Sequence, residues 1–479
     1  MRTPYDFLLY RFRLDPAAIA LRRPSGQISF AELLLRVKRV ARILRSAGVR
    51  PGQVVVTAIA DKSLDWIVTL AIFHEAAVSC SYGRYKPWTA PFGYDWIVVD
   101  DSGASSPPGG NVIVIERRMP LSEEMPRLPR RHYASEDAVA RISLTSGTSG
   151  RARGVPSTLA QLAQRTETAL ATPGAIGALC MLGSNTAADF RSSLMSVFAG
   201  TPLLVATTKK EVVQSLREGG VRSLTGSPTM VAQLLDELEA SGTQVPALEW
   251  MRLAGAATPK PLLARIQRLI APHVVNLYGA TETGGVCSCR LTAATDASAA
   301  GYVAPHAQVE VVDDDGRVLA PGEEGTVRTK TPYMASGYVE DPQASASAFR
   351  EGWFYPGDRG VLRADGLLVL AGRDTEVLNL GGVKFDPVQM EQFLLEAGDV
   401  RDAAVFAVTA ASGVQLAVLS LVAAGELDAR AIRERVSGKF QLNPAQLAIW
   451  RIEEILRNGM GKVMRNEMRE RYVAAMRRQ

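Results

Sequence analysis

The segment VVVTAIA (54–60) carries no charge and is almost wholly apolar, and it lies between two stretches, 30–44 and 64–77, with apolar residues at helical spacing. A strand of this kind is typical of a sheet that is buried on both faces, as parallel sheets covered by helices are. Further short apolar runs at 112–116 and 202–207 alternate with helical segments in the same way. The alternation predicts an α/β fold with layered subdomains and mostly parallel sheets.

The pattern changes in the last third of the chain. Turn pairs at Asp315-Gly316 and Pro321-Gly322 separate short strands and indicate a β-rich portion. A helix, two strands and a second helix follow, which predicts a small α+β unit. The 479 residues exceed the size at which single cores stop growing, roughly 250–300 residues. We therefore predict a large N-terminal domain over 1–374 and a small C-terminal domain over 375–479.

The composition argues against several classes of protein. The net charge of +5 is spread thinly, which argues only weakly for nucleic-acid binding. Four cysteines are too few for a disulfide framework, and Cys287 and Cys289 lack zinc-site spacing. The sequence contains no run of about twenty apolar residues, the length of a membrane span, and its N-terminus lacks the apolar stretch of a signal peptide. We therefore expect a cytoplasmic protein with no membrane span and no nucleic-acid partner.

The segment LTSGTSGRARG (144–154) combines four hydroxyl side chains, three glycines and two arginines. Glycines let backbone amides approach phosphate oxygens closely, hydroxyl groups donate to the same oxygens, and guanidinium groups add positive charge. Because the apolar stretch VARISL precedes it, we predict a phosphate-binding loop at the end of a strand. It is not a Walker loop, since no GK[ST] sequence closes it. The predicted phosphate contacts are Thr145, Ser146, Gly147, Thr148, Ser149, Gly150 and Arg153.

The loop resembles the phosphate-binding signature of the acyl-adenylate-forming (AMP-binding) superfamily, which includes acyl-CoA synthetases, nonribosomal peptide adenylation domains and luciferases. Further segments resemble motifs of that family and occur in its order across most of the chain. They are RLAGAATP (252–259), YGATETGG (278–285), EGWFYPGDRG (351–360), GRDTEVLNLGGVKFDPVQME (372–391) and RNGMGKVMR (457–465). Their joint occurrence is far more specific than any one motif.

The resemblance implies nucleotide contacts. It places the Tyr278 ring on adenine, Thr281 at the α-phosphate and Glu282 at Mg²⁺. The last assignment agrees with the preference of this hard cation for carboxylate and phosphate oxygens. Asp358 and Arg373 would contact the ribose. Further cofactor-binding positions would be Gly255, Ala256, Gly279 and Ala280.

The resemblance also implies an acyl pocket and a mobile C-terminal domain. Thr375 would be the hinge about which this domain rotates, and Gly382 would lie near the path of the thiol. The pocket would be lined by Ser184, Asn185, Gly255, Gly284 and Gly285.

Lys462 resembles the family's catalytic lysine, whose ammonium group bridges the attacking carboxylate and the α-phosphate. Only ten of the 54 basic residues are lysine, so the chain favours arginine wherever either side chain would serve. A lysine at this position therefore indicates a need for a compact ammonium group. At position 153 the family usually has lysine, whereas this chain has arginine. The effect of Arg153 on pyrophosphate handling stays open.

These residues predict an acid–thiol ligase. It would use ATP and Mg²⁺ to convert an aliphatic or aryl carboxylic acid into acyl-AMP, with release of pyrophosphate. The acyl group would then pass to CoA or to the phosphopantetheine of a carrier protein. The sequence indicates neither the acid, nor the thiol, nor the oligomeric state.

Two alternatives stay open. A stand-alone amino-acid adenylation enzyme would need a carboxylate for the substrate ammonium where this chain has Ala187, with Asp189 two residues later. An inactive nucleotide-binding homologue is suggested by Arg153 and by the small polar residues at 184–186, where many acyl-CoA synthetases carry an aromatic or histidine gate.

Overall fold

The fold is described from a computed structural model that covers most of the chain. The residues it describes are 3–82, 91–101, 111–117, 125–146, 152–170, 172–296, 298–373, 378–380, 383–396, 399–409, 415–423, 425–458 and 461–476.

The first part of the chain alternates helices with short strands. Its elements are α1 (Pro4–Leu14), β1 (Ile19–Arg23), β2 (Gly26–Ser29), α2 (Phe30–Ala47), β3 (Val54–Ala58), α3 (Lys62–His74), β4 (Val78–Ser81), β5 (Trp96–Asp100), β6 (Asn111–Ile115), β7 (Val139–Ser146), β8 (Ala152–Thr158) and α4 (Leu159–Leu170).

Most of these strands form a six-stranded sheet in the order β6-β5-β3-β4-β7-β8, parallel except for the β7–β8 hairpin. The predicted buried strand is β3, which lies inside the sheet between β4 and β5. The helix before it, α2, begins with a capping box in which Ser29 and Glu32 bond each other's backbone amide. It ends at Gly48, whose φ of 105° suits glycine. Local sequence therefore sets both ends of the helix that precedes this strand.

The next part continues the alternation. Its elements are β9 (Ala178–Cys180), α5 (Ala187–Ala199), β10 (Leu203–Leu204), α6 (Lys209–Glu218), β11 (Ser223–Gly226), α7 (Pro228–Ser241), β12 (Trp250–Ala254), α8 (Lys260–Leu269) and β13 (Val274–Ala280).

Strands β9, β11, β12 and β13 form the parallel part of a twelve-stranded sheet. The run 202–207, predicted as a strand, contributes only the two residues of β10. This short strand pairs with β1 in a separate three-stranded sheet, order β10-β1-β2.

The β-rich portion completes the twelve-stranded sheet with antiparallel strands. Its elements are β14 (Gly284–Leu291), β15 (Ala299–Val303), β16 (Gln308–Val312), β17 (Glu324–Lys330), α9 (Pro342–Ala348), β18 (Phe349–Arg350), β19 (Trp353–Phe354), β20 (Asp358–Leu362) and β21 (Leu367–Arg373). Strand β13 pairs antiparallel with β14, where the sheet changes from parallel to antiparallel. Strands β16 and β17 pair antiparallel, and both predicted turn pairs lie between them. The α/β class with mostly parallel layers and a β-rich portion is thus confirmed.

The C-terminal elements are β22 (Leu378–Leu380), β23 (Val383–Phe385), α10 (Pro387–Leu395), β24 (Val400–Thr409), β25 (Gln415–Ala423), α11 (Ala429–Phe440), β26 (Leu447–Arg451) and α12 (Arg465–Met476). Strands β24, β25 and β26 form their own sheet. Two hydrophobic clusters consist only of residues from this segment. A separate core is what an independent domain requires, although Thr375 lies outside the described residues and the division 1–374 and 375–479 stays a prediction.

Within the described part of the chain, no helix combines the length and the apolar character needed to cross a bilayer.

Candidate active site

A cavity of about 870 Å³ lies at the carboxyl ends of parallel strands from both large sheets. Its walls include Thr145 near the end of β7, Thr225 near the end of β11 and Tyr278 near the end of β13. Open α/β sheets bind their ligands at this edge. The loop before α12 closes another side of the cavity with residues of the C-terminal segment.

Side chains from three separate motifs line this one cavity. Thr145 comes from the predicted phosphate loop, Glu282 from the segment after β13, and Lys462 from the C-terminal loop. The fold therefore unites groups that are far apart in the sequence. The other predicted residues that line the cavity are Arg153, Asn185, Gly255, Tyr278, Gly279, Ala280, Thr281, Gly284 and Gly285.

Other predicted residues are not placed at the cavity wall. Ser184, Ala256 and Asp358 do not line it. The Ser184 carbonyl accepts a 3.5 Å hydrogen bond from Nη2 of Arg141. The backbones of Ser146 and Arg373 are described, but not their side chains. The predicted residues outside the described part are Gly147, Thr148, Ser149, Gly150, Thr375 and Gly382.

The β7–β8 hairpin holds a basic side chain, Arg153, at the cavity wall. Thr145 and Arg153 face each other in the antiparallel register of this hairpin. Arg153 Nε lies 3.6 Å from Oδ2 of Asp341, and its guanidinium carbon lies 5.2 Å from the centre of the Tyr338 ring. The carboxylate and the ring thus fix the position of the guanidinium group at the cavity wall.

Glu282 is a buried carboxylate, only 5% exposed. The Tyr338 hydroxyl donates to its Oε1 over 2.8 Å. Arg165 donates to the main-chain oxygens of Thr281 and Glu282 over 3.0 and 2.9 Å, which fixes the backbone at this point. Burial raises the pKa of Glu282, whereas Tyr338, Arg165 and Arg153 oppose the rise.

The donor set suits a magnesium ion that is shared with a nucleotide. Among the described residues, no three histidine, cysteine or acidic side chains cluster as a metal cage would require. Mg²⁺ is commonly held by one or two carboxylates, with phosphate oxygens and water completing its shell. A single buried carboxylate at the wall of the cavity, Glu282, therefore fits this ion.

Tyr278, at the cavity wall, is hydrogen-bonded to Asp358, which does not itself line the cavity. The Tyr278 hydroxyl donates to Oδ2 of Asp358 over 2.6 Å, and Asp358 is 5% exposed. Asp358 is also the register partner of Arg373 across β20 and β21. The hydrogen bond aligns the tyrosine ring, which lines the cavity, with a carboxylate suited to bind hydroxyl groups.

Lys462 is held by a tight loop. The Asn458 side chain accepts from the Lys462 amide over 3.0 Å, and the Asn458 amide donates to the Lys462 carbonyl over 2.9 Å. Gly461 has φ of 77°, and a Cβ atom there would lie 2.4 Å from the Ser227 hydroxyl at the start of α7. Glycine thus allows the loop to contact the large N-terminal part closely, which brings Lys462 to the cavity.

The start of α5 forms another part of the cavity wall, and Ala187 lies there. Asp189 does not line the cavity. Its Oδ1 accepts a 2.9 Å bond from Lys62 Nζ, which also donates to the Cys180 carbonyl over 2.9 Å. Since this carboxylate already neutralises a lysine, a register shift of two residues does not provide an acidic partner for a substrate ammonium group.

Among the residues at the cavity wall that the sequence analysis missed are Arg165, Arg191 and Tyr338. Arg165 lies on α4, Arg191 lies on α5, and Tyr338 lies shortly before α9. None of them belongs to a recognised motif. The one signal available in the sequence was an arginine within a largely apolar helix, such as Arg191 in AADFRSSLMSVFA.

The chain is similar to known proteins over nearly its whole length. A 2-succinylbenzoate–CoA ligase of Geobacillus kaustophilus is 27% identical over 485 residues, covering 98% of each chain. A medium/long-chain-fatty-acid–[acyl-carrier-protein] ligase of Mycobacterium tuberculosis is 26% identical over 97% of this chain and 94% of its own length. The fold matches o-succinylbenzoate CoA synthetase of Bacillus subtilis, solved with an acyl-adenylate intermediate, with a TM-score of 0.81 and 22% identity over 96% of this chain and 97% of that one.

The family described as AMP-binding enzyme matches residues 95–339, slightly more than half of the chain. This stretch contains the β7–β8 hairpin, the segment of Tyr278 and Glu282, and the start of α5. The predicted resemblance is confirmed: the chain belongs to the AMP-binding enzyme family.

Proposed function

We propose that this enzyme activates a carboxylic acid with ATP as its acyl-adenylate and then transfers the acyl group to a thiol. The observation that carries the proposal is the convergence of Thr145, Glu282 and Lys462 on one cavity. The names of the relatives support the same class of reaction, because both are acid–thiol ligases. They act on different acids, and one uses CoA while the other uses a carrier protein, so they leave the acid and the thiol open.

In the proposed first step, a carboxylate oxygen of the acid attacks the α-phosphorus of ATP and pyrophosphate leaves. Lys462 would lie between the carboxylate and the α-phosphate and neutralise charge there, while Thr281 donates to the α-phosphate. Mg²⁺ held by Glu282 would neutralise charge on the departing phosphates. No side chain becomes a nucleophile, so catalysis comes from positioning and charge neutralisation.

In the proposed second step, a thiol attacks the acyl carbon and AMP leaves. The C-terminal domain, 375–479, would rotate at Thr375 between the steps and open a path past Gly382. The separate core of this segment supports an independent rigid body.

The proposal is tested by pyrophosphate release over aliphatic, aryl and amino acids, each with CoA, a holo carrier protein or no thiol. We expect release that depends on the acid, and a thioester with one of the two acceptors. ATP binding without release for any acid would favour an inactive homologue. Release that is strongest with amino acids, with no thioester, would favour the stand-alone amino-acid adenylation enzyme.

Replacing Asp358 by alanine is expected to raise the ATP dissociation constant about 20-fold, since a hydrogen bond to a charged group contributes about 1.5–3 kcal/mol. Isothermal titration of ATP provides the measurement. Asp365→Ala, at an exposed turn between β20 and β21, is the matched control. An unchanged ATP dissociation constant in Asp358→Ala would contradict the ribose contact.

Arg153→Lys is expected to preserve the rate of adenylation within about threefold or to raise it. An ammonium group can replace the guanidinium beside Asp341 and Tyr338, because neither contact is bidentate. The measurement is the initial rate of pyrophosphate release at saturating ATP. A loss of more than about tenfold would mean that the phosphates need the planar fork of arginine.

A further inference from the structure

Arg191 is a cation at the wall of the cavity that the proposed reaction does not use. It lies on α5, one turn after Ala187, and both residues line the cavity. On the opposite wall are Gly284 and Gly285 at the start of β14. A Cβ atom on Gly285 would lie 4.0 Å from Nη1 of Arg191, so the guanidinium group is directly opposite the glycine pair.

Among the described residues, no carboxylate compensates the charge of Arg191. Burial lowers its pKa, and the groups that oppose this effect are Tyr333 and Cys180, neither of which is a carboxylate. The nearest acidic residue in the sequence, Asp189, is paired with Lys62. Within the described part of the chain, this charge therefore has no carboxylate counter-ion.

A second buried arginine adds to the positive charge. Arg252 on β12 is 4% exposed, and its Nε atom has no hydrogen-bond partner among the described atoms. Burial, together with the smaller effect of the charge of Arg191, lowers the pKa of Arg252 to about 10. Arg165 differs, because the carbonyl oxygens of Thr281, Glu282 and Tyr333 accept its hydrogen bonds.

Buried charges without a counter-ion are costly, and removing one is often neutral or stabilising. A guanidinium group that faces a ligand cavity can receive its counter-ion from the ligand. Its planar fork matches a carboxylate through two parallel hydrogen bonds. At Gly285 no side chain projects toward this guanidinium group from the facing wall.

We propose that the acid activated by this enzyme carries a second carboxylate, which binds Arg191. The preferred substrate is then a dicarboxylic acid, one carboxylate reacting at Lys462 and the other remaining unreacted at the base of α5. This inference rests on the proposed function, and it narrows the substrate class beyond an aliphatic or aryl acid.

The test compares each dicarboxylic acid with its own monomethyl ester, in aliphatic and aryl series, by pyrophosphate release. The ester keeps the size and shape of the acid but lacks the second charge. We expect kcat/KM for the diacid to exceed that for the ester by about 50-fold, within the range measured for buried charge pairs at interfaces. Arg191→Met should lower kcat/KM for the diacid about 50-fold and leave the ester unchanged or improved.

Arg217→Met, at an exposed position of α6, is the matched control and should change neither rate. A second readout does not depend on activity. The melting temperature of Arg191→Met without ligand should equal or exceed that of the wild type, while stabilisation by added diacid should be lost.

Equal rates for diacid and ester, or an Arg191→Met variant that loses both equally, would overturn the inference while adenylation itself stands. The second result would place Arg191 at a group that both substrates share. Absence of pyrophosphate release with every acid would instead overturn the proposed function and this inference with it.

Discussion

Lys462→Ala is expected to lower the rate of acyl-adenylate formation by about 1,000-fold, the upper range for removal of one group that stabilises transition-state charge. The ATP dissociation constant should change less than about threefold, because the ammonium group acts mainly while the new acyl–phosphate bond forms. Single-turnover pyrophosphate release and titration of ATP measure the two quantities separately.

The loop geometry gives this prediction its specificity. Asn458 and Gly461 fix the backbone around Lys462 without using its side chain, so truncation to alanine leaves the loop and its contact with α7 in place. Lys439→Ala, an exposed lysine in the last turn of α11, is the matched control. Lys462→Arg should recover little of the lost rate if a compact ammonium group is required. Adenylation at the wild-type rate in Lys462→Ala would remove the assigned role.

Glu282→Gln is expected to reduce pyrophosphate release by roughly 300-fold at low millimolar Mg²⁺, since a metal ion contributes several kcal/mol of charge stabilisation to phosphoryl chemistry. The glutamine keeps the volume of the side chain and an oxygen that can accept from the Tyr338 hydroxyl. Because burial raises the pKa of Glu282, its charge is unfavourable in the fold, and the neutral variant should be at least as stable. The fold is thus preserved while the charge is lost.

A magnesium titration separates a metal role from a structural one. The concentration of Mg²⁺ that gives half-maximal rate should rise in Glu282→Gln, and high Mg²⁺ should restore part of the activity. Glu237→Gln, at an exposed position of α7, should behave as wild type. A variant with reduced rate and an unchanged magnesium dependence would show that Glu282 does not hold the ion.

The layered part of the fold was predictable, because apolar runs and helix-capping residues are patterns within short segments of the sequence. The apolar run that forms β3 shares a hydrophobic cluster with α2 and α3, its neighbours in the sequence. The capping box at Ser29 fixes where α2 begins. The run 202–207 is also largely apolar but becomes the two-residue β10, which pairs with β1 in a separate three-stranded sheet rather than joining one of the large sheets. Composition alone does not reveal which partner a strand will find.

Part of the site was predictable for a different reason. Thr145, Tyr278, Glu282 and Lys462 occur in motifs whose order identifies the family, and the family match confirms that identification. Arg191 was not predictable in this way. It reaches the cavity because the first turns of α5 lie at the cavity wall, near Gly285. The meaning of its charge depends on Asp189 being paired with Lys62. A role that depends on residues brought together by the tertiary fold cannot be recognised from a short segment of sequence.

The proposed mechanism depends on attack by a carboxylate oxygen at the α-phosphorus of ATP, and isotope transfer measures this directly. The enzyme is supplied with its acid labelled with ¹⁸O in the reacting carboxylate, together with ATP and the thiol, and the AMP is analysed by mass spectrometry. The proposed mechanism predicts one labelled oxygen in each AMP, because that oxygen bridges acyl carbon and phosphorus in the adenylate and stays on phosphorus when the thiol attacks. AMP without label would contradict it.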